Sequence, residues 1–523
     1  MPIFVVDDLD AIGNATLPGD QSPSPGDFNI TLIEIEHGSG ARYKIGNLVS
    51  ELHLFEDIER VGITGWVQLK DNINLIQTGV ISGEELLWLK FETAGTTEAG
   101  VDNFGVDFSK SPLYIHKVEE IRAPKTQAGG GSITTQSFLE YRLHFCSTEM
   151  VSNSRIRISK NYQNTLNKIV EKILDKDLQT KKNVNTTNTI GLFNYTAPNI
   201  HPFDAVLELT KPAQCNNGLQ VVAPQSSTVN NLFTNGSELP NDFMFFETSS
   251  RKSTLDGGFF FQPLQRKSSG ALDFLLTLNN AATTGGGEAT TGGKAHTGFA
   301  SQMLRSKSFT FTQNGDKWWT VGQGIWAAKH IRHSSTKKSY AIYEHDYLEH
   351  IANTKNSEIS KTPVYWPKGG GKKISEYSDA KVLFSSSSSK NRSEIFTGAG
   401  ADAAYPWSHP AASSALRRQM QVGHVLGYQR IQCELWGISG LQIGKMCDAQ
   451  FPRIGLGSGT PGQTGLENSK EVYPPRNDNA WMITKLGHHL ISAADKPVYT
   501  TTVELVNTFQ ETKAELPAYG GLG

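Results

Sequence analysis

The feature that most constrains this chain is a period-two alternation of apolar and polar residues between Arg430 and Asn507. In Arg430-Ile-Gln-Cys-Glu-Leu-Trp-Gly437, Ile431, Cys433 and Leu435 alternate with polar partners and so fall on one side of an extended backbone. The rhythm continues through Leu441–Pro452, Ala480–Leu490 and Tyr499–Val506, with breaks at Gly, Asn, Asp and Pro. It specifies antiparallel strands joined by loops. No catalytic motif lies in the stretch, which therefore reads first as architecture.

The same rhythm governs the N-terminal part. From Phe28 the apolar positions alternate through Ile33-Glu-Ile-Glu36, Tyr43–Val49, Leu52–Ile58, Ile63–Asp71 and Asn74–Phe91. Two further strands, Leu113–Arg122 and Gln136–Ser147, flank Gly129-Gly-Gly-Ser132. In the second, Leu139, Tyr141, Leu143 and Phe145 share one face and Glu140, Arg142 and His144 the other, as in a strand buried on one side.

Between these β stretches the period changes. Tyr162, Leu166, Ile169, Val170, Ile173, Leu174 and Leu178 form one helical stripe, with Ser159 or Asn161 placed to cap its start. Pro202–Thr210 is a second helix, with Pro202 in the first turn and Pro212 as its stop. Phe243–Glu247 and Gly257–Gln262 are expected to pair as strands, and Phe309–Thr312 and Tyr340–Tyr343 are short strands. Ser413–Gln421 suits a short helix. Residues 280–300 and 355–406 carry little periodicity and much Gly and Ser, and read as loop insertions.

The expected fold is mainly β with an α+β middle region. It divides into an N-terminal arm (1–27), a first β domain (28–148) and a middle α/β domain (149–300). Strands plus a loop insertion follow (301–420), part of which can belong to the second β domain (421–511), and a C-terminal tail (512–523) closes the chain.

Charge narrows the partners. With 49 Lys plus Arg against 51 Asp plus Glu, no global field draws the chain to nucleic acid or membrane. The four cysteines (Cys146, Cys215, Cys433, Cys447) form no CxxC pair, so free thiols in a reducing compartment are expected. Met1–Asp10 lacks the basic start and apolar run of a secretory leader, and no window reaches the roughly 18–20 apolar residues of a membrane span.

Each candidate for chemistry fails on spacing. Gly369-Gly-Gly-Lys-Lys373 and Gly292-Gly-Lys294 lack the first glycine and the Ser or Thr of a phosphate loop. His345 and His350 are five apart, which on a helix would aim them about 140° apart and away from one metal. His488 and His489 point to opposite sides of a strand. Gly437-Ile-Ser-Gly440 is one residue short of a nucleophile elbow and suits a tight turn. Glu84-Glu85 and Asp7-Asp8 read as surface carboxylates. Lys329, Arg332, Lys337 and Lys338 near Trp318, Trp319 and Trp326 could stack single-stranded nucleic acid, although packed sheet tryptophans are the commoner case. No catalytic, cofactor-binding or metal-binding residue is assigned.

Taken together, Leu52–Ile58, Ile63–Asp71 and Ile81-Ser-Gly-Glu-Glu-Leu-Leu87 resemble the first tube-like domain of the central baseplate hub protein of contractile-tailed bacteriophages. Ser154–Lys160 with the following helix, Phe245–Thr248 and Gly258–Phe261 are similar to that family's middle domain. Gly437, Leu441–Gly444, Ile483–Lys485, His488 or His489, and Tyr499–Leu505 are similar to its second tube domain. The resemblance implies two tube-like antiparallel β-barrel domains per chain and a homotrimer whose six domains ring the DNA channel. That ring would join a hexameric tail tube protein to a trimeric spike protein, beside baseplate wedge proteins. DNA would pass without specific binding. The chain ends at Gly523, soon after the second tube domain, so the spike is expected to be a separate chain. The implied place is the virion tail baseplate, assembled in the host cytoplasm, with no enzymatic role. A hub of a related contractile injection or secretion particle shares this reading, and a tail-associated cell-wall hydrolase is the enzymatic alternative.

Overall fold

A computed structural model describes residues 26–93, 105–122, 138–189, 192–213, 243–249, 257–263, 274–277, 290–291, 294–295, 306–313, 327–334, 339–346, 381–387, 429–450, 480–492 and 497–507. The N-terminal β unit contains β1 (Phe28–Glu36), β2 (Arg42–Lys44), β3 (Val49–Asp57), β4 (Thr64–Asp71), β5 (Leu86–Thr93), β6 (Val106–Asp107), β7 (Leu113–Arg122) and β8 (Leu139–Ser147). Alternation places Leu52, Leu54, Leu87, Leu89, Leu143 and Phe145 in one core. Burying each such side chain is worth about 1.5–3 kcal/mol. Residues 74–85 form turns rather than strand, and Asn74 adopts φ +60.

The middle region contains α1 (Thr148–Arg155), β9 (Asn161–Asn164), α2 (Leu166–Lys172), β10 (Asn183–Thr186), β11 (Phe193–Thr196), α3 (Pro202–Thr210), β12 (Phe243–Thr248) and β13 (Gly258–Pro263). Helix α2 runs on as a π-helical stretch, Ile173–Leu178. The apolar stripe is buried as expected, but the helix begins at Leu166, because Tyr162 and Asn161 pair as strand β9 with β11. Thr165 takes the extended capping conformation in place of Ser159 or Asn161. β12 and β13 pair antiparallel as read from the sequence, and β10 adds to β13 in parallel.

Then follow β14 (Phe274–Thr277), β15 (Thr290–Thr291), β16 (Lys294–Ala295), β17 (Ser308–Gln313), β18 (Ala327–Ser334), β19 (Ser339–Asp346) and β20 (Lys381–Ser387). The last four are β21 (Gln429–Trp436), β22 (Met446–Gln450), β23 (Ala480–Ile491) and β24 (Val498–Asn507). β20 corrects the reading of 355–406 as loop throughout, since Ser385–Ser387 belong to a strand paired with β18. β17 pairs with β21 and β14 with β22, so the C-terminal ladder recruits strands from well before residue 421.

The mainly β architecture with an α+β middle stands as the sequence reads it. What the sequence does not reveal is that both β units belong to one 14-stranded sheet, ordered β17-β21-β24-β23-β3-β4-β8-β7-β5-β1-β2 along its main path. Among the described residues this ladder is not closed into separate barrels. The join is β3 against β23, in antiparallel register from Lys485↔Asp57 to Ile491↔Glu51. The C-terminal core (Cys433, Leu435, Trp481, Leu486, Val503) also takes in Ile58 from the N-terminal unit and Met244 and Phe246 from β12.

Beside the join, β4 approaches β3 and β8 so closely that only glycine fits at position 65. A Cβ there would lie 2.2 Å from the His53 carbonyl oxygen and 2.5 Å from the Phe145 ring. Gly65→Ala should therefore cost about 3 kcal/mol or more by forcing strands apart. Gly38→Ala, where a Cβ meets nothing within 4 Å, should stay within about 0.5 kcal/mol. Urea unfolding of the two variants separates these outcomes.

Candidate functional site

The register of the join sorts its side chains by face. Leu52 and Leu490, and Leu54 and His488, turn into the core, while His53 and His489 turn outward opposite one another. The two Nδ1 atoms are 2.6 Å apart. His53 stacks on Trp66 at 3.8 Å between ring centres, and the Arg142 guanidinium lies 4.6 Å over the other part of this stack on Trp66. His489 Nε2 is 2.9 Å from Thr502 Oγ1. Burial, with Arg142 nearby, lowers the His53 pKa to about 4, and burial with His53 nearby lowers that of His489 to about 4. Both rings are thus neutral at pH 7. Phe55, 37% exposed, lies over Gly487, where a Cβ would be 3.2 Å from its ring.

The outward face continues across the ladder, with β-bulges at Ile115/Lys117 and Ile483/Lys485 that shift which residues it presents. Several of its cations are matched by carboxylates, and Arg142 donates to Gln68 Oε1 at 3.0 Å. Arg42 donates to Glu36 at 2.8 Å while lying 3.9 Å over Trp88, whose indole N–H donates to the same Glu36. Lys90 pairs with Asp107, and Lys117 and His144 with Glu119. Lys307 pairs with Glu434 at 2.9 Å over Trp436, and Arg430 and Lys485 share Glu504. Pairs this exposed contribute about 0–1 kcal/mol each to stability. Their larger effect is to cancel the face's own charge.

The middle region is fastened beneath this sheet by a buried ion cluster. Lys182 Nζ donates to Glu149 and Glu247 at 2.6 Å each. Glu247 also accepts from Ser147 Oγ at 2.8 Å and from the Ile63 amide at 3.3 Å, both in the N-terminal unit. Ser249 donates to Glu56 of β3. Burial opposes the Lys182 charge, yet the Glu247 and Glu149 carboxylates outweigh it and hold its pKa above the usual lysine value. Complete burial pushes the Glu247 carboxyl up, and the neighbouring Glu149 adds to the shift against the pull of Lys182. Two carboxylates around one ammonium leave one negative charge in excess, which adds to the upward pull on Glu247.

Of the residues weighed from sequence, His488 and His489 do face opposite sides of their strand. His488 lies buried 2.7 Å from the Tyr499 hydroxyl and His489 on the outer face. Residues 437–440 form the expected turn: a Cβ on Gly437 would sit 1.9 Å from Tyr499, and Ser439 is a buried partner of Thr93. Glu85 is not a surface carboxylate. It is buried and accepts from the backbone amides of Ser82, Gly83 and Glu84, fixing that turn and holding its pKa below the usual range. His345 closes strand β19 rather than riding a helix. His350, Trp318, Trp319, Trp326, Lys337, Lys338, Asp7, Asp8, Cys215, Gly369–Lys373 and the 413–421 helix lie outside the described residues, as do the side chains of Lys329 and Arg332. Cys146, Cys433 and Cys447 are buried thiols, with burial pushing Cys433 up to about 12. Among the described residues, no group of three His, Cys, Asp or Glu could hold a metal, and no helix is long and apolar enough to cross a membrane. The Lys182 cluster and the His53 contact were missed because their members are scattered along the chain.

No protein-family model matches the chain, and no curated protein does. Among solved structures it is similar to the tail protein from Neisseria meningitidis MC58, at 9% identity and TM-score 0.44 over 91% of this chain and 96% of that one. It is also similar to the 43 kDa tail protein of prophage MuSo2 from Shewanella oneidensis, at 10% identity and TM-score 0.42 over 91% and 98%. A third is an E. coli component of the type VI secretion system described as structurally similar to T4 bacteriophage tail proteins gp27 and gp5. There the identity is 11% and the TM-score 0.36 over 93% and 77%. These similar structures are thus a tail protein, a prophage tail protein and a secretion-system component.

Lys182→Met should destabilise the protein by about 3–5 kcal/mol at pH 7, because it strands two buried carboxylates. In that variant the folded state takes up protons at pH values where the unfolded carboxyls, near 4.5, do not. Its deficit should therefore shrink as pH falls from 7 toward 5 and grow as pH rises. Denaturant melts across that range check both size and sign.

Proposed function

We propose that this chain is the structural hub of a phage tail baseplate and has no enzymatic role. Three copies close a ring of six β units that joins a hexameric tail tube to a trimeric spike. The observation that carries this reading is the β3–β23 ladder, which sets the N-terminal and C-terminal β units edge to edge in one sheet with one polar face. Two side-by-side units per chain are what a trimer needs to meet a six-fold partner on one side and a three-fold partner on the other. The charge pairing on the outward face supports its assignment to the lumen. Phosphate binding draws on cations free to release counterions, whereas these are already matched by Glu36, Glu119, Glu434 and Glu504. DNA would slide past such a wall without being held. The opposite side, with the middle region, is then turned toward the wedge proteins of a virion baseplate.

The purified chain, alone or with its spike, should have the mass of a trimer by light scattering and appear as a ring with a central channel in electron micrographs. A monomer under both conditions overturns the reading.

A further inference from the structure

Three side chains of the buried ion cluster stand in the arrangement that an amide condensation requires. Lys182, just ahead of β10, places Nζ 2.6 Å from Glu247 Oε1 on β12 and 2.6 Å from Glu149 Oε2 on α1. The other oxygen of Glu247, Oε2, accepts from Ser147 Oγ at 2.8 Å and from the Ile63 amide at 3.3 Å, an amide that Ser147 Oγ shares. One carboxyl oxygen thus faces the amine, while its twin sits where two donors would hold an oxyanion. Glu149 is aimed by Thr180 Oγ1, which donates to Oε1 at 2.9 Å and leaves Oε2 to the amine. The side chains of Lys182, Glu149 and Glu247 are 8%, 9% and 0% exposed, and the Phe259 ring centre lies 5.9 Å from Nζ. Water, the product of condensation, is kept out, and opposite charges buried there are costly to hold.

We propose that Lys182 and Glu247 join in an intramolecular isopeptide bond, with Glu149 as the base, so that the cluster is a self-modification site. One proton passes from the ammonium to Oε1 along their hydrogen bond, giving a neutral amine beside a neutral carboxyl. The Nζ lone pair then attacks Cδ, and the displaced carbonyl electrons settle on Oε2 between Ser147 and Ile63. Glu149 removes a second proton from nitrogen and delivers it to the Oε1 hydroxyl, which departs with its bonding pair as water. The Lys182 ammonium and the Glu247 carboxylate become one amide and one water. Glu149 ends as it began, and no oxidant or cofactor is consumed. Burial opposes the Lys182 charge while the two carboxylates restore it, so loss of the first proton is the hard step. Fixed proximity offsets it, since groups held in reacting geometry reach effective molarities of about 10⁵–10⁸ M. In the product the amide oxygen keeps Ser147 and Ile63, and the remaining N–H keeps Glu149. The link ties β10 to β12 across β13, binding the outer strands of that sheet to each other. The proposal does not depend on ring assembly.

The test is the intact mass of the full chain, purified folded and then measured in denaturant. The wild type should be one water lighter than its sequence requires. Tandem mass spectrometry of a protease digest should find a branched peptide joining Lys182 to Glu247. Glu149→Gln keeps both reacting groups yet should carry the full mass, and so should Lys182→Arg. Should these variants fail to fold, the wild-type mass and the branched peptide decide alone. A wild type of full mass, a water lost with no such branched peptide, or a closed link in folded Glu149→Gln would each overturn the proposal. The deficit given above for Lys182→Met refers to the ionic cluster, and loss of the link adds to it.

Discussion

The molecule is held in register by a carboxylate that cannot be left alone. Glu247 is shut away from water on β12, and among the described residues Lys182, Ser147 and the Ile63 amide keep it satisfied. A buried charge of this kind contributes little net stability, but separating it from its partners is costly. Its strand is dry on both faces: Phe243 and Phe245 serve the middle core, and Met244 and Phe246 the C-terminal one. One strand therefore couples three bodies. The middle region cannot slide against either β unit without exposing an ion or opening a cavity.

The two faces of the long sheet answer different demands. The inner face is conventional hydrophobic packing, and it crosses unit boundaries: Leu490 and Tyr499 sit in the N-terminal core, Ile58 in the C-terminal one. The outer face is polar yet nearly self-cancelling, with tryptophans 66, 88 and 436 each covered by a cation. Guanidinium and ammonium groups placed so are spent on neighbours rather than offered to a ligand. A face of this type is polar and nearly charge-balanced.

Much of this was legible in the sequence, and the remainder was invisible for definite reasons. Alternation located β8 and β21 because a strand with one dry face must repeat every second residue. The apolar runs of β12 and β13 marked a strand pair, though not that β12 would be covered on both sides. The partner of a strand leaves no such mark, so nothing in Leu52–Ile58 or Lys485–Ile491 disclosed that they pair. The same limit hid the recruitment of β14 and β17. Ion clusters suffer more, since Glu149, Lys182 and Glu247 are each ordinary in their local context. The helix stripe was read correctly, but its first turn was lost to a strand, because Tyr162 is apolar enough to satisfy either period.

The β3–β23 join has a consequence for how the protein is made. Chains emerge N-terminus first at about 5–20 residues per second, so the 436 residues separating His53 from His489 take roughly 20–90 s to follow. For that interval β3 is an open edge on an otherwise assembled sheet, offering its amides and carbonyls to any passing strand. A prematurely terminated product would keep that edge for good. It would be a fragment prone to association rather than a smaller working part. Completion of the N-terminal unit thus waits on a strand translated 436 residues later.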